Sequence, residues 1–198
     1  NKNQLPTLPL DTYPVVVKPA LSLVGKSGVS VVRNESELLE AIKNASSVTI
    51  NEKLVVEGYL AGSDHTLIGF VDNGDVHKVC FLDEINAENE SGKVFGKGFK
   101  THSPSIEHDI ELAADVISQK IVSKFNITRS PFMASFRSDL DGNLYLIEIH
   151  LDLGGDLLIE NLFPSALNIN FTEFAVKMAV GNIKLAAAIE VKPTAVIF

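Results

Sequence analysis

Three ionisable side chains interrupt an apolar stretch at residues 143–156, NLYLIEIHLDLGGD. Because successive side chains of a strand point to opposite faces, Glu148, His150 and Asp152 should share one face. Two carboxylates and an imidazole on a rigid strand are suitable ligands for a divalent cation that carries phosphate oxygens. The pattern predicts a metal site, although a single polar strand face is more commonly an ordinary solvated surface.

A hairpin partner must position this strand. Asp141-Gly142 lies between two apolar runs and is typical of a tight hairpin turn, so residues 131–138 are predicted to fold back antiparallel. The expected opposite pairs are Ser135 with Glu148, Met133 with His150, and Arg137 with Leu146. The polar face of the hairpin would then also include Ser135 and Arg137, or Arg137 would form an ordinary salt bridge there.

The composition predicts a soluble globular protein that binds neither nucleic acid nor membranes. The 198 residues are 45% hydrophobic, which is enough to bury a substantial core. A net charge of -8 argues against unassisted binding to nucleic acid or anionic lipid, since both need clustered Lys and Arg. No apolar run approaches the roughly 20 residues that span a bilayer. The single cysteine, Cys80, fits a reducing compartment such as the cytoplasm.

A second candidate site lies near the start of the chain. Residues 14–19 are predicted to form a strand whose only charge is Lys18, and residues 20–28, ALSLVGKSG, form a glycine-punctuated loop before another β-branched run. Backbone N–H groups of such a loop suit phosphate binding. A P-loop requires a helix to begin at once, and the following residues favour a strand, so we reject that topology. A flexible hairpin tip remains the alternative interpretation.

Hydrophobic periodicity and turn residues predict the remaining elements. A helix should begin after Asn34, with Glu37 in the capping-box position. Next we expect a strand at 54–60, a turn at 61–64, strands at 66–70 and 76–82 around a turn at 72–75, and a long loop at 86–105. An amphipathic helix should follow at 106–125, and its apolar stripe should consist of Ile106, Ile110, Ala113, Ile117, Ile121 and Phe125. The last predicted elements are helices at 157–163 and 173–180 and a strand at 194–198. Pro164 should end the first of the two C-terminal helices.

Four segments stand in a fixed order along the chain. They are PVVVKP at 14–19, GKSGV at 25–29, VEGYLAGSD at 56–64, and DGNLYLIEI at 141–149 leading to GGD at 154–156. Together they resemble the ATP-grasp family. The resemblance implies an α+β fold in which two lobes with mainly antiparallel sheets clasp a nucleotide cleft. It implies a small lobe at 14–60 and a large lobe at 61–198 with the central hairpin, and residues 1–13, which are polar and contain Pro6 and Pro9, are predicted to be a linker.

The resemblance also implies roles for individual residues. For ATP it implies Lys18 on the α- and β-phosphates, Lys26, Ser27 and Gly28 on the β- and γ-phosphates, Glu57, Gly58, Tyr59 and Leu60 as the hinge whose backbone contacts adenine, and Asp64 on the ribose hydroxyls. For Mg²⁺ or Mn²⁺ it implies Glu148 as a bridging carboxylate, with His150 where the family usually has asparagine. Lys26 and Arg137 are the candidate catalytic cations, which would neutralise charge on the transferring phosphoryl group.

The sequence departs from the family pattern at the metal-binding hairpin. Ser135 occupies the position of the family's other metal carboxylate, and serine is a much poorer magnesium ligand. Leu151-Asp152 replaces the usual proline and arginine. The hypothesis is that Arg137 supplies the missing charge and that Asp152 with His150 rebuilds the metal site.

Two functions from different classes follow from the resemblance. The first is an ATP-dependent ligase that activates a small carboxylate as an acyl phosphate for attack by an amine, with the GGD ending most similar to amino-acid ligases and carbamoyl-phosphate-synthase-like proteins. The second is a nucleotide-binding module without turnover. A ligand-free α/β domain is a third interpretation. The family usually has a further N-terminal domain that helps bind substrate, so we expect the chain to be part of a longer polypeptide.

Overall fold

The computed structural model describes residues 12–101, 104–155, 157–181 and 191–197. The strands are β1 Val15–Pro19, β2 Ser30–Val32, β3 Leu54–Gly58, β4 Gly62–Asp72, β5 Asp75–Glu88, β6 Val94–Thr101, β7 Arg129–Asp139, β8 Leu144–His150 and β9 Ala195–Ile197. The helices are α1 Glu35–Val48, α2 Pro104–Phe125, α3 Phe163–Leu167 and α4 Phe171–Ala179, with a π-helical turn at Leu158–Leu162. None of the helices in these described ranges has the length and hydropathy needed to cross a membrane.

The chain divides into two compact units, and the first comprises Asn1–Leu60 and Asn86–Lys97. Its sheet has the order β2-β1-β3 and is antiparallel throughout. α1 begins as predicted, since the side chain of Asn34 accepts a hydrogen bond from the amide of Glu37. Its buried residues Leu38, Ala41 and Ala45 join a core with Val15, Val17 and Val32.

The second unit comprises Ala61–Ile85 and Gly98–Phe198. Its six-stranded sheet has the order β8-β7-β4-β5-β6-β9. Alternate residues of β4 enter two cores, because neighbouring side chains of a strand face opposite ways. Leu67 and Val71 pack in the core that includes α2, whereas Ile68 and Phe70 pack against α3 and α4. The sheet is therefore covered by helices on both faces in its middle.

The predicted loop at 86–105 is wrong, because most of it belongs to the hairpin of β5 and β6. Its glycines suggested a loop, but at Gly98 the reason for glycine is strand packing. A Cβ added at Gly98 would lie 2.0 Å from the carbonyl oxygen of Val196 on β9. The strand at the C-terminal end, predicted at 194–198, is confirmed by the pairing of β9 with β6, and Phe198 itself lies outside the described residues.

Three further local predictions are wrong. The turn at 61–64 is the start of β4, so Asp64 lies in a strand. Pro164 stands in the first turn of α3 and does not end a helix, because an N-terminal proline removes no helical hydrogen bond. Phe125 is 65% exposed, and the buried stripe of α2 runs through Ile110, Ala114 and Val122. The side chain of Ile106, residues 1–11 of the expected linker, and Asp156 lie outside the described residues.

Candidate functional site

The first unit places Lys18 beside an acid on the neighbouring strand. Lys18 lies on β1 and Glu57 on β3, and the two strands pair antiparallel. The Lys18 ammonium lies 2.7 Å from the Glu57 carboxylate, with side-chain exposures of 26% and 42%. A partly exposed ion pair of this kind contributes little stability, so an incoming phosphate can compete for the lysine at low energetic cost.

The loop at residues 20–28 joins β1 to β2 and folds on itself. The amide of Ser27 donates to the carbonyl of Val24 at 3.2 Å, and the amide of Val29 donates to the carbonyl of Lys26 at 3.3 Å. Lys26 and Gly28 have left-handed backbone angles, φ 58 and φ 78. Successive turns of this kind form the concave amide surfaces that bind anions. After this loop the chain forms the strand β2 and not a helix, which agrees with the rejection of a P-loop.

Gly28 is needed at the end of this loop for a steric reason. A Cβ there would lie 2.5 Å from Cγ2 of Val48 on α1, and the positive φ would strain any other residue. The expected adenine-binding hinge, residues 57–60, consists of the last two residues of β3 and the two residues that follow it. The amide of Tyr59 donates to the carbonyl of Pro14 at 3.0 Å, so that amide holds the chain to the start of β1. Leu60 is the last residue of the segment Asn1–Leu60, the first of the two segments that form this unit.

The second unit contains the predicted hairpin of β7 and β8. Ser135 lies opposite Glu148 and Met133 opposite His150, as the sequence predicted. The predicted pairing of Arg137 with Leu146 is wrong, since Arg137 lies opposite Tyr145. The cause is a β-bulge, which leaves Ile147 without an opposite residue between the two sets of pairs. Turn chemistry alone cannot reveal such an extra residue.

The three predicted metal ligands lie together at the end of β8 and just beyond it. The Glu148 carboxylate lies 3.3 Å from Nε2 of His150, and the Asp152 carboxylate lies 3.8 Å from Nδ1. In the described part of the chain, no three His, Cys, Asp or Glu side chains are arranged to hold a metal ion by themselves. Mg²⁺ on a nucleotide is commonly held by one or two carboxylates and the phosphates, and the two acids suit that chemistry.

Two residues expected in separate roles form an ion pair in the second unit. Nη1 of Arg137 on β7 lies 2.6 Å from the Asp64 carboxylate on β4, and both side chains are about four-fifths buried, with exposures of 20% and 17%. The same guanidinium donates to the carbonyl of Gly62 at 3.2 Å. This arrangement holds Arg137 on the polar face of the sheet, which Ser135 shares.

A carboxylate that sequence reasoning missed lies on the same face. Glu84 on β5 accepts a hydrogen bond from the Thr66 hydroxyl at 2.5 Å, and that hydroxyl lies 3.4 Å from the hydroxyl of Ser135. The available signal was strand alternation, because Glu84 follows Leu82 at a spacing of two. A polar row therefore crosses the sheet from Glu148 through Ser135 and Thr66 to Glu84.

The opposite face carries a buried serine, histidine and aspartate in hydrogen-bonded order. Nε2 of His65 lies 2.9 Å from the Ser138 hydroxyl, and Nδ1 lies 2.9 Å from the Asp83 carboxylate. Ser138 is only 4% exposed, so this network links three strands and does not present a nucleophile to substrate. Burial also raises the pKa of the Cys80 thiol, which keeps that side chain protonated and unreactive.

Comparison with known proteins shows the family of the chain. Residues 11–160 match the sequence model of the ATP-grasp domain. Because the match covers more than half of the chain, the protein belongs to the ATP-grasp family.

Individual relatives are longer than this chain. It is 30% identical over 141 residues to the carbamoyl phosphate synthase large chain of Sulfolobus acidocaldarius, which covers 70% of this chain and 13% of that protein. Among solved structures, the L-amino acid ligase of Bacillus licheniformis is similar with a TM-score of 0.69 at 22% identity, over 90% of this chain and 42% of that one.

A third similar protein was solved with nucleotide. The biotin carboxylase domain of the Hydrogenobacter thermophilus 2-oxoglutarate carboxylase, in complex with MgADP, ADP and bicarbonate, has a TM-score of 0.65 at 18% identity, over 90% of this chain and 38% of that one. These similarities confirm the predicted fold class, α+β with antiparallel sheets of the ATP-grasp type. The chain spans less than half the length of each of these three relatives.

Proposed function

We propose that this chain is the ATP-binding part of a ligase that activates a small carboxylate as an acyl phosphate for attack by an amine. The observation that carries the proposal is the Lys18–Glu57 ion pair beside the loop at 20–28, in a chain of the ATP-grasp family. The amino-acid ligase and carbamoyl phosphate synthase among its relatives support the reaction class. The single free cysteine supports a reducing, cytoplasmic location.

In this proposal the first unit, with the small lobe at 14–60, binds the nucleotide. Lys18 exchanges Glu57 for the α- and β-phosphates. Lys26, with the backbone of Ser27 and Gly28, holds the β- and γ-phosphates, so that charge on the transferring group is neutralised before the carboxylate attacks. The hinge backbone, at Glu57, Gly58, Tyr59 and Leu60, contacts adenine.

The second unit, within the large lobe at 61–198, contains the residues proposed to bind ribose and metal. Asp64 binds the ribose hydroxyls, and Arg137 provides positive charge near the transferring phosphoryl group. Glu148, with His150 and Asp152, would hold Mg²⁺ or Mn²⁺, which neutralises phosphate charge when bound. The carboxylate and amine substrates are selected by a further N-terminal domain of a longer polypeptide, a proposal that the greater length of the relatives supports.

A nucleotide-binding module without turnover is the second candidate. The observation that favours it is Ser135 opposite Glu148, which leaves that position of the hairpin without a second carboxylate. A module would bind ATP with Mg²⁺ but would release no ADP in the presence of carboxylates and amines. The two candidates therefore agree on binding and differ in turnover.

The test measures thermal unfolding and ADP release on the same preparation. ATP with Mg²⁺ at 100 times its Kd should stabilise the protein by about 2.7 kcal/mol. ADP release that depends on one member of a panel of amino acids, measured with the full-length protein, would support the ligase. Stabilisation without ADP release across the panel would support the module, and no stabilisation by ATP at any concentration would contradict both.

A further inference from the structure

The loop at residues 20–28, here called the phosphate loop, is followed by β2, and β2 is held on both of its sides. β2 is an edge strand of the three-stranded sheet in the first unit. Its outer side is covered by the turn between β5 and β6, residues 89–94, which we call the tip. The amide of Val94 donates to the carbonyl of Val29 at 3.1 Å, and the amide of Val31 donates to the carbonyl of Gly92 at 2.8 Å. β2 is therefore held by β1 on one side and by the tip on the other.

The tip is organised by one asparagine side chain. Oδ1 of Asn89 accepts hydrogen bonds from the Ser91 amide at 3.1 Å, the Ser91 hydroxyl at 2.9 Å and the Lys93 amide at 2.9 Å. The backbone N–H of Asn89 donates to the carbonyl of Lys93 at 3.1 Å. Asparagine that binds nearby amides in this way fixes the shape of a turn. The tip consequently meets β2 as a preformed surface.

Close approach of the two backbones depends on Gly92. It has a φ of +77, and a Cβ there would lie 2.2 Å from the carbonyl oxygen of Val31. An ion pair between Arg33, just after β2, and Glu88, just before the tip, adds a second attachment at 2.5 Å. A side chain at position 92 would have to displace the tip from β2.

The loop at residues 20–28 is held at both of its ends. At the first end, the amide of Ile50 donates to the carbonyl of Leu21 at 3.0 Å. Between the ends, the side chains of Leu23 and Val24 are 90% and 65% exposed. The second end is Val29, directly after Gly28, and it is the residue whose carbonyl the tip holds. The contact between Val29 and the tip therefore restrains the backbone directly after Lys26 and Gly28.

We propose that the tip is a positioning element for ATP binding, which sets the phosphate loop without contacting the nucleotide. The inference rests on the proposed function of residues 26–28 in binding phosphates. It assigns a role to Asn89 and Gly92, which lie more than 60 residues after the loop in the sequence. Small displacements of groups that orient a ligand reduce affinity or rate strongly, even when no ligand group is removed.

The first experiment needs no nucleotide. Amide hydrogen exchange is measured for Ser27 and Val29 in the wild type, in Gly92→Ala and in Asn89→Ala, with Glu90→Ala as the matched control on the exposed side of the tip. Both test variants should accelerate exchange of these amides about tenfold, as expected when a local opening becomes easier, and Glu90→Ala should not. Unchanged exchange in both test variants would overturn the positioning role whether or not the protein binds ATP.

The second experiment asks whether the tip acts through the loop. Gly92→Ala should raise the Kd for ATP with Mg²⁺ about tenfold, or about 1.4 kcal/mol, and should have much less effect in a Lys26→Ala background, because the tip is proposed to act on phosphate binding through the loop that carries Lys26. Additive effects of the two substitutions would overturn the proposal. If the wild type binds no ATP, the proposed function fails, whereas the exchange experiment still decides whether the tip positions the loop.

Discussion

Arg137 has a structural role and a proposed catalytic role. Its guanidinium holds β4 to β7 through Asp64 at 2.6 Å, and the same positive charge is the one proposed to act on a phosphoryl group. Removing either member would deprive the other, mostly buried charge of an ion-pair partner, which is destabilising. Loss of activity in an Arg137 variant therefore has meaning only beside its measured stability.

The hypothesis of a rebuilt metal site makes a prediction about two acids. Glu148→Ala and Asp152→Ala should each abolish the part of ATP binding that depends on Mg²⁺, because Mg²⁺ affinity depends on the carboxylates that remain. The measurement is calorimetric titration of ATP with and without Mg²⁺. Both acids are more than half exposed, with side-chain exposures of 60% and 64%, so folding should be little affected.

A result in which only Glu148→Ala mattered would contradict the rebuilt site, and Glu84 would then be the next acid to test. Sequence reasoning found Glu148, His150 and Asp152 because they alternate on one strand. It missed Glu84 because the predicted strand ended at residue 82, whereas β5 continues to Glu88 and carries Glu84 opposite the β4 side of the row.

At the scale of secondary structure, the strand pair β4 and β7 depends on a glycine. Gly62 has a φ of +150, and a Cβ there would lie 1.7 Å from the backbone carbonyl oxygen of Ser138. Gly62→Ala should therefore lower the free energy of unfolding by at least about 2 kcal/mol, since the backbone must move. Urea denaturation measures this change.

Gly155→Ala is the matched control, because a Cβ at Gly155 meets nothing within 4 Å and its φ is not in the left-handed range. It should change the free energy of unfolding by less than about 1 kcal/mol. Equal effects of the two substitutions would show that the contact between Gly62 and Ser138 does not determine the pairing of β4 with β7.

The turn between β7 and β8 should respond to acid through one carboxylate. The Asn143 side chain donates to Asp139, and this hydrogen bond, with backbone amides of the turn, holds the pKa of Asp139 below its ordinary value. A lowered folded-state pKa means that the carboxylate stabilises the turn above its unfolded-state pKa, and that this contribution is lost as the pH falls through the folded-state pKa.

Asn143→Ala should therefore raise the pKa of Asp139 towards the ordinary aspartate value, because the substitution removes the side-chain donor that lowers this pKa most. NMR titration of the Asp139 carboxyl carbon measures the pKa in both proteins. An unchanged pKa would show that the Asn143 side chain does not stabilise the ionised form.

Turn chemistry and periodicity predicted this hairpin and the α1 cap, because these depend on residues close together in the sequence, whereas the two antiparallel sheets were implied by the family resemblance. They failed at 86–105, where glycines that permit close strand approach suggested a loop, and at Ile147, where a bulge shifted the register. The first failure arises from contacts with strands distant in the sequence, at Gly92 with Val31 and at Gly98 with Val196, whereas the second is an irregularity within the hairpin itself.

For the whole molecule, the order of four motifs predicted the family, and the family match at 11–160 confirms it. The candidate nucleotide-binding residues at positions 18–60 lie in the first unit, and those from position 61 onward lie in the second, so the sequence order alone separates these two groups. The β5–β6 segment Asn86–Lys97, which belongs to the first unit, could not be assigned from sequence order. The central claim is that Lys18 and Glu148 are both needed for binding of ATP with its metal.

The most direct test measures ATP affinity in the presence of Mg²⁺ for Lys18→Ala and Glu148→Ala, with the exposed Lys124→Ala as control. Each of the two test variants should raise the Kd at least about tenfold, because each removes a charged group proposed to bind ATP or its metal. An affinity for ATP that neither Lys18→Ala nor Glu148→Ala changes, relative to Lys124→Ala, would contradict the account.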